Sequence, residues 1–229
     1  MKPICWHRIH EFVGENGTLS LDRIHLWLVS LEEARNLWER YERLLDEEEK
    51  RRALEYRLES DRIRYAGGRI CIKKIGIYYR LLEEEEAAIK VDAYQKPFFA
   101  RGKSGWNFNL SHSGQYLLIG FSYGNRIGVD IQQETFLKEY RQMSDYFHPK
   151  ECAKIKEEGT PKRGLSQFYA FWTGKEAVLK AKGTGLYSPL DSFELRTDGI
   201  YGAQGSKWPM EWKKLPAPDG YAAAVAIKK

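Results

Sequence analysis

Apolar and polar residues alternate over residues 22–30, which puts Ile24, Leu26 and Leu28 on one face and predicts a half-buried strand. The stretch before it, to about Leu21, shows no period and reads as irregular. Ser30 with Glu33 three residues on is a capping-box signature. Leu37, Trp38, Tyr41 and Leu45 then recur at helical spacing and predict a helix through Leu44. A second helix is expected from near Asp46, with Glu47, Glu48 and Glu49 in its first turn, where the helix dipole favours acid. It reads on through Arg52, Leu54 and Leu58.

Residues 61–89 carry a long amphipathic helical pattern that includes Ile70, Ile77 and Leu81. Gly67 and Gly68 interrupt it; each costs a helix about 1 kcal/mol relative to Ala, so a packing or ligand-approach reason is expected. Strand patterns follow at 108–110, 116–122 and 127–132, the last two separated by a Ser-Tyr-Gly-Asn-Arg turn that suggests a hairpin. Helical spacing returns at 137–147, 150–157 and 165–181, and strands are expected at 193–196, 212–215 and 221–227. Each half thus runs from helices to strands. The fold class is α+β, with a joint near Gly124 to Arg126 that separates a half 1–125 from a half 126–229.

Composition narrows the partners. The 229 residues suit one large domain or two small ones at roughly 150 residues per domain. With 37 Lys and Arg against 32 Asp and Glu, the net charge is +5: mildly basic, and suited to an anionic small molecule or an acidic protein. Acids interleaved with the basic residues argue against a nucleic-acid track. No apolar run approaches the roughly 18 residues of a membrane span, and the first residues show no secretory pattern. Cys5, Cys71 and Cys152 are odd in number and far apart, as expected of reduced thiols in a cytoplasmic protein.

Four segments carry candidate chemistry. In Gly128-Val-Asp-Ile-Gln132, Asp130 points away from its apolar neighbours Val129 and Ile131. Taken alone, that fits a surface aspartate on an ordinary strand better than the second reading, a hard oxygen ligand for Mg²⁺. In Phe171-Trp-Thr-Gly-Lys-Glu-Ala-Val-Leu-Lys180, Glu176 and Lys180 share a helix face. They read either as a surface pair worth about 0.3–0.5 kcal/mol or as functional groups beside aromatic surface. Asn109-Leu-Ser-His-Ser-Gly114 reads as a plain turn or as a phosphate-binding corner; Ser111 and His112 point to opposite faces, which disfavours a nucleophilic dyad. The basic series Lys50, Arg51, Arg52, Arg57, Arg62, Arg64 and Arg69 is mostly a solvated helix face, from which a few residues could converge on a polyanion.

Taken in order, the basic helix, the QKP-type loop at Lys96-Pro97, NLSHSG, GVDIQ and FWTGKEAVLKAKGTGL resemble the Sfp-type 4′-phosphopantetheinyl transferases, which prime carrier proteins. The resemblance implies two similar pseudo-twofold-related α+β halves, with the active site between them. It implies coenzyme A as co-substrate and Mg²⁺ as cofactor, with Asp130, Gln132 and Glu176 at the metal. The catalytic group would be Glu176, Lys180 and Asp130, with Lys180 meeting the CoA phosphate and the leaving group. Arg52, Arg64, Arg69, Lys96, Pro97, Ser111 and His112 would line the CoA site. Many members carry an acid where Gln132 stands, which removes one anionic ligand. The partners implied are CoA and acidic acyl or peptidyl carrier proteins, with no membrane and no nucleic acid, for a monomeric chain. A non-catalytic CoA- or carrier-binding module of the same fold is the alternative that Gln132 favours.

Overall fold

The computed structural model describes residues 1–9, 17–93, 96–183 and 188–229. Gln95 of the QKP-type loop, and the Thr184 and Gly185 that follow the helical motif, lie outside the described residues. The chain divides into two compact units, Lys2–Gly124 and Asn125–Lys229, the second including Met1.

In chain order the first unit contains β1 (Ile4–His7), β2 (Ile24–Ser30), α1 (Leu31–Tyr41), α2 (Glu47–Glu55), α3 (Glu59–Tyr78), β3 (Ile89–Val91), β4 (Pro97–Phe99), β5 (Trp106–Ser113) and β6 (Tyr116–Tyr123). One sheet has the order β1-β2-β6-β5, with β1 parallel to β2 and the other pairs antiparallel. The capping box at Ser30 forms as expected: Glu33 N–H donates to Ser30 Oγ at 3.1 Å, and Ser30 N–H to the Glu33 carboxylate at 2.7 Å. A second box, Asp46 with Glu49, starts α2. The two mid-helix glycines have a packing reason. A Cβ on Gly67 would come 2.7 Å from the Ala34 carbonyl of α1, and one on Gly68 would come 2.9 Å from Leu110 of β5. Trp27, Ile63, Ile72, Ile75, Leu117, Ile119 and Phe121 fill the core.

The second unit contains β7 (Arg126–Gln133), α4 (Tyr140–Met143), α5 (Pro149–Lys156), α6 (Pro161–Lys182), β8 (Phe193–Arg196), β9 (Gly199–Gly202), β10 (Met210–Leu215) and β11 (Tyr221–Lys228). Its main sheet has the order β10-β11-β7, all antiparallel. Helix α6 begins at the Thr160 cap with Pro161 in its first turn and ends at Gly183, whose φ of +79° is the left-handed stop that glycine favours. Phe147, Phe168, Phe193, Val178 and Ala224 belong to its core.

Three expectations are corrected. The opening stretch is not wholly irregular: β1 forms there by parallel pairing with β2, a long-range partnership that local pattern does not show. The long helix ends at Tyr78 and not at Ile89, because Arg80 turns left-handed (φ +53°) and Leu81 N–H returns to the Gly76 carbonyl at 2.7 Å. The strands expected to form a hairpin across Gly124 do not pair. β6 pairs with β5 through the turn at Gly114 (φ +52°), and β7 pairs with β11.

The two units share a topology. An offset of 102 residues carries the start of β2 at Ile24 to that of β7 at Arg126, the α2 cap Asp46 to the α5 cap His148, and the start of α3 at Glu59 to that of α6 at Pro161. The sheet sequence β2-β6-β5 matches β7-β11-β10. The same offset relates two buried struts. Lys73 of α3 bonds Glu49 Oε2 at 2.5 Å and the Leu44 carbonyl at 2.6 Å. Lys175 of α6 bonds Glu151 Oε2 at 2.7 Å and the carbonyls of Leu190 and Phe193, each at 2.7 Å. In both, the glutamate is the third residue of a capped helix and ties that helix to the longer one.

Candidate active site

In the second unit, β7 delivers Asp130 against α6. A Cβ on Gly128 would lie 2.0 Å from the Ala177 carbonyl and 2.4 Å from the Ala181 nitrogen, so only glycine lets the helix approach this closely. Asp130, two residues on, projects from the same face of the strand. It is 1% exposed, which removes the surface-aspartate reading. Its Oδ1 accepts from Lys180 Nζ at 2.6 Å, and the same ammonium donates to the Val129 carbonyl at 3.2 Å. Lys180 thus turns to Asp130, where helical spacing alone suggested Glu176.

Glu176 is half-buried, and its carboxylate has no hydrogen-bond partner among the described residues. Burial pushes its pKa up, the charge of Asp130 adds to that, and Lys180 opposes it. Gln132 Nε2 faces Asp130 Oδ2 at 3.4 Å. The opposite amide orientation would present the Gln132 oxygen to the same space. Glu134, further along, accepts from Ser166 Oγ at 3.0 Å. Two neighbouring carboxylates with an amide beside them form an all-oxygen set that fits a hard divalent cation.

In the first unit, Arg52, Arg64, Arg69, Pro97 and His112 line one cavity of about 300 Å³, together with Tyr56 and Tyr65. Arg52 and Arg69 both lie over the Tyr65 ring, at 5.5 and 5.6 Å from its centroid. Arg64 is held by Asp61 and by the Gly114 carbonyl at 2.8 Å. Two guanidinium nitrogens of this cavity, Arg64 Nε and Arg69 Nη1, are buried without a partner among the described residues. Buried charged donors left unpaired are costly, and an anion in the cavity would satisfy them.

The remaining expected residues fall nearby but differently. His112 is exposed on the cavity face of β5, while Ser111 is buried on the other face, as strand alternation requires. Lys96 lies next to Pro97, its backbone paired with Asp92, and does not line the cavity. Lys50 and Arg51 are outside the cavity and form surface ion pairs with Glu47 and Glu55. Two features escaped the sequence reading: the aromatic floor, Tyr56 and Tyr65, and the Glu151 that fixes the motif residue Lys175. Only the capping position of Glu151 hinted at it.

An arginine cavity with unmet donors can take an anion, and the buried carboxylate–lysine cluster can hold a hard cation. Residues 126–226 match the 4′-phosphopantetheinyl transferase superfamily, and residues 30–122 match the family described as 4′-phosphopantetheinyl transferase, N-terminal. The chain is 31% identical over 209 residues to a phosphopantetheinyl transferase of Thraustochytrium, covering 82% of this chain and 72% of that one. It is 27% identical to the 4′-phosphopantetheinyl transferase HetI of Nostoc, covering 93% and 90% of the two chains. It is 26% identical to the 4′-phosphopantetheinyl transferase Sfp of Bacillus subtilis, covering 82% and 84%. The chain belongs to the 4′-phosphopantetheinyl transferase family.

Proposed function

We propose that this chain transfers the 4′-phosphopantetheine group of coenzyme A to a carrier-protein serine, with the Asp130 cluster and the arginine cavity in specific roles. The observation that carries the reading is the buried Asp130 carboxylate, held against Glu176 and Lys180 of α6. In the reaction the serine oxygen bonds to the β-phosphorus of CoA and the bond from that phosphorus to the bridging oxygen breaks. 3′,5′-Adenosine bisphosphate leaves. Glu176 takes the hydroxyl proton; its raised pKa brings it nearer to the working pH of a general base. Lys180, once drawn from Asp130 by the incoming phosphates, stabilises the charge that develops on the leaving group.

Asp130, Glu176 and the Gln132 amide oxygen are the residues that would hold Mg²⁺. When bound, it supplies neutralisation of the phosphoryl oxygens and tolerates water in place of a third acid. The arginine cavity takes phosphate groups of CoA, with Arg64 Nε and Arg69 Nη1 as the unmet donors.

Acidic carriers suit this chain. Besides the +5 net charge, an apolar cavity of about 610 Å³ in the second unit is rimmed by Lys138, Arg141 and Lys162. Phe136 stands beside it 87% exposed. An apolar floor with a cationic rim matches an amphipathic acidic helix, and steering by charge makes the encounter salt-sensitive. We read the chain as a monomer, because both motif sets lie in one polypeptide, and as cytoplasmic, in keeping with three free cysteines. No described helix is long and apolar enough to cross a membrane.

The test is the intact mass of an apo carrier protein after incubation with this chain, CoA and Mg²⁺. A phosphopantetheine-sized gain that disappears with Asp130→Ala supports these residue roles. CoA binding by calorimetry without any gain, across several carrier types, would instead favour a binding module. Gain that survives Asp130→Ala and Glu176→Gln would overturn the residue assignment.

A further inference from the structure

A second cluster of ligating side chains lies in the first unit, on the parallel pair β1 and β2. The register places Cys5 beside His25 and His7 beside Trp27. Cys5 and His7 are two residues apart on one strand, so all three side chains project from the same face. A ligand atom of each lies within 4.8 Å of the others, and His7 Nε2 faces His25 Nδ1 at 2.8 Å. The outward ring nitrogens are both turned to oxygen: His25 Nε2 lies 2.9 Å from the Ser20 carbonyl, and His7 Nδ1 makes a longer contact of 3.4 Å with the Tyr79 hydroxyl. The His7 ring is also stacked on the buried Trp27, with centroids 4.5 Å apart and planes at 18°.

From this we infer that Cys5, His7 and His25 form a site for a borderline-soft divalent cation, Zn²⁺ in the first place. Imidazoles that ligate a metal through one nitrogen characteristically engage a carbonyl, carboxylate or other oxygen through the other, which fixes tautomer and ring orientation. Both His7 and His25 have that arrangement. A hydrogen-bond relay would explain the facing nitrogens but gives the thiol beside them no part. Zinc bonds of about 2.0–2.1 Å to nitrogen and about 2.3 Å to sulfur set tetrahedral ligand atoms roughly 3.3–3.6 Å apart. The facing nitrogens need only part by about half an ångström, and the thiol approach by about one, for the set to close. The fourth position is left to water or another donor. Cys5 and His7 are partly exposed, which gives an ion entry, while His25 is buried. The site shares no residue with the arginine cavity or with the Asp130 cluster.

The test is titration of the metal-free full chain with Co²⁺ and then Zn²⁺. We expect one equivalent of Co²⁺ to raise a sulfur-to-cobalt charge-transfer band and tetrahedral d–d bands, and Zn²⁺ to displace both. Cys5→Ser should abolish the charge-transfer band, and His7→Gln should weaken Zn²⁺ binding at least 10-fold. Both should leave the circular dichroism spectrum and the transfer of phosphopantetheine at saturating CoA and Mg²⁺ unchanged. Absence of the band in the folded wild-type chain would overturn the site, as would a band that persists in Cys5→Ser. Because the readout is spectroscopic and independent of transfer, failure of the zinc site leaves the assignment of the catalytic residues standing.

Discussion

Lys175 sits in the family motif next to Glu176, yet the structure gives it a load to bear and no access to solvent. Its ammonium and the Glu151 carboxylate are both fully buried and 2.7 Å apart. Lys175 also satisfies two carbonyls and lies 4.2 Å from the centroid of the Phe193 ring. Glu151 accepts the Leu195 N–H at 2.7 Å and the His148 N–H at 3.1 Å. Burial pushes Lys175 down and Glu151 up in pKa, and the attraction between them opposes both shifts. Lys175→Met keeps most of the volume, removes the cation, and leaves a carboxylate and two carbonyls without their donor. Breaking a buried pair in this way costs about 3–5 kcal/mol. Glu151→Gln keeps an acceptor but leaves the buried ammonium without its counter-charge, and should cost a similar amount, about 3–5 kcal/mol. The double variant should be less destabilised than the two singles added together, since each single leaves a lone buried charge and the double leaves none. Urea unfolding followed by tryptophan fluorescence measures all four corners of the cycle. Transfer per folded molecule, assayed well below the unfolding midpoint, should stay within a few-fold of wild type in Lys175→Met and collapse in Lys180→Met. A Lys175→Met variant within about 1 kcal/mol of wild-type stability, or one fully folded and inactive, would refute the structural role.

Three further outcomes are expected. The raised pKa of Glu176 means that the folded carboxyl keeps its proton at pH values above 4.5, where a free glutamate has lost it. Its contribution to stability therefore falls as pH rises through that window, and the base form appears only above it. The acidic limb of kcat/KM should accordingly lie above 4.5, and the Glu176 carboxyl carbon, followed by NMR, should titrate lower in Asp130→Asn and higher in Lys180→Met. Arg69→Met should weaken CoA binding by about 10- to 150-fold in calorimetry, the worth of a charged hydrogen bond of about 1.5–3 kcal/mol. It should not destabilise the free protein through Nη1, which has no partner to lose among the described residues. Gly128→Ala forces a methyl group to within 2.0 Å of the Ala177 carbonyl, a clash only a shift of helix backbone can relieve. It should cost about 1–3 kcal/mol in urea unfolding and raise the Mg²⁺ concentration needed for half-maximal transfer; unchanged metal dependence would mean that Asp130 and α6 do not act together.

What the sequence disclosed was local. The strand before Ser30, the capping box with Glu33 and the period of α6 each depend on neighbours within a few residues, and each element formed. The strand, however, is buried on both faces, with His25, Trp27 and Val29 buried opposite Ile24 and Leu26, and Leu28 only partly buried. What it hid was pairing at a distance. Nothing near Ile4 announces a parallel partner at Ile24, and the glycine turn between β6 and β7 looks like any hairpin loop until β11 is seen to occupy the β7 edge. The end of α3 was hidden for another reason: a left-handed Arg80 stops it, with neither the glycine nor the proline that usually marks a helix end. The arginines of the cavity were legible as charges, and helical spacing could not say which converge. Tyr65, placed under Arg52 and Arg69, selects them. Gln132 counted against metal binding when seen as a missing charge. Beside Asp130 and a Glu176 whose carboxylate has no hydrogen-bond partner among the described residues, its amide oxygen becomes, on the proposed roles, a further donor in a set that already carries two carboxylates.

The offset of 102 residues sets the two units side by side as one topology carrying different side chains. Both units keep the strut, Lys73 on Glu49 and Lys175 on Glu151, because it ties a short capped helix to the long one and has no tolerance for a missing partner. The faces beside the strut are free to differ. Where the second unit has Gly128 and Asp130 on β7, the first has Leu26 and Leu28 on β2; where α6 has Glu176 and Lys180, α3 has Lys74 and Tyr78. Conversely, Arg64 and Arg69 of α3 correspond to Ser166 and Phe171 of α6. A leucine at position 28 cannot hold a cation, and a phenylalanine at 171 cannot hold a phosphate. The Asp130 carboxylate cluster therefore lies in one unit and the arginine cavity in the other, and on the proposed roles neither unit has the residues to replace its counterpart. This division explains why the repeat is invisible in the sequence. The positions that a functional reading singles out are the ones at which the two units differ, while those they share are a buried lysine and a capping glutamate that resemble ordinary surface charges until their burial is known.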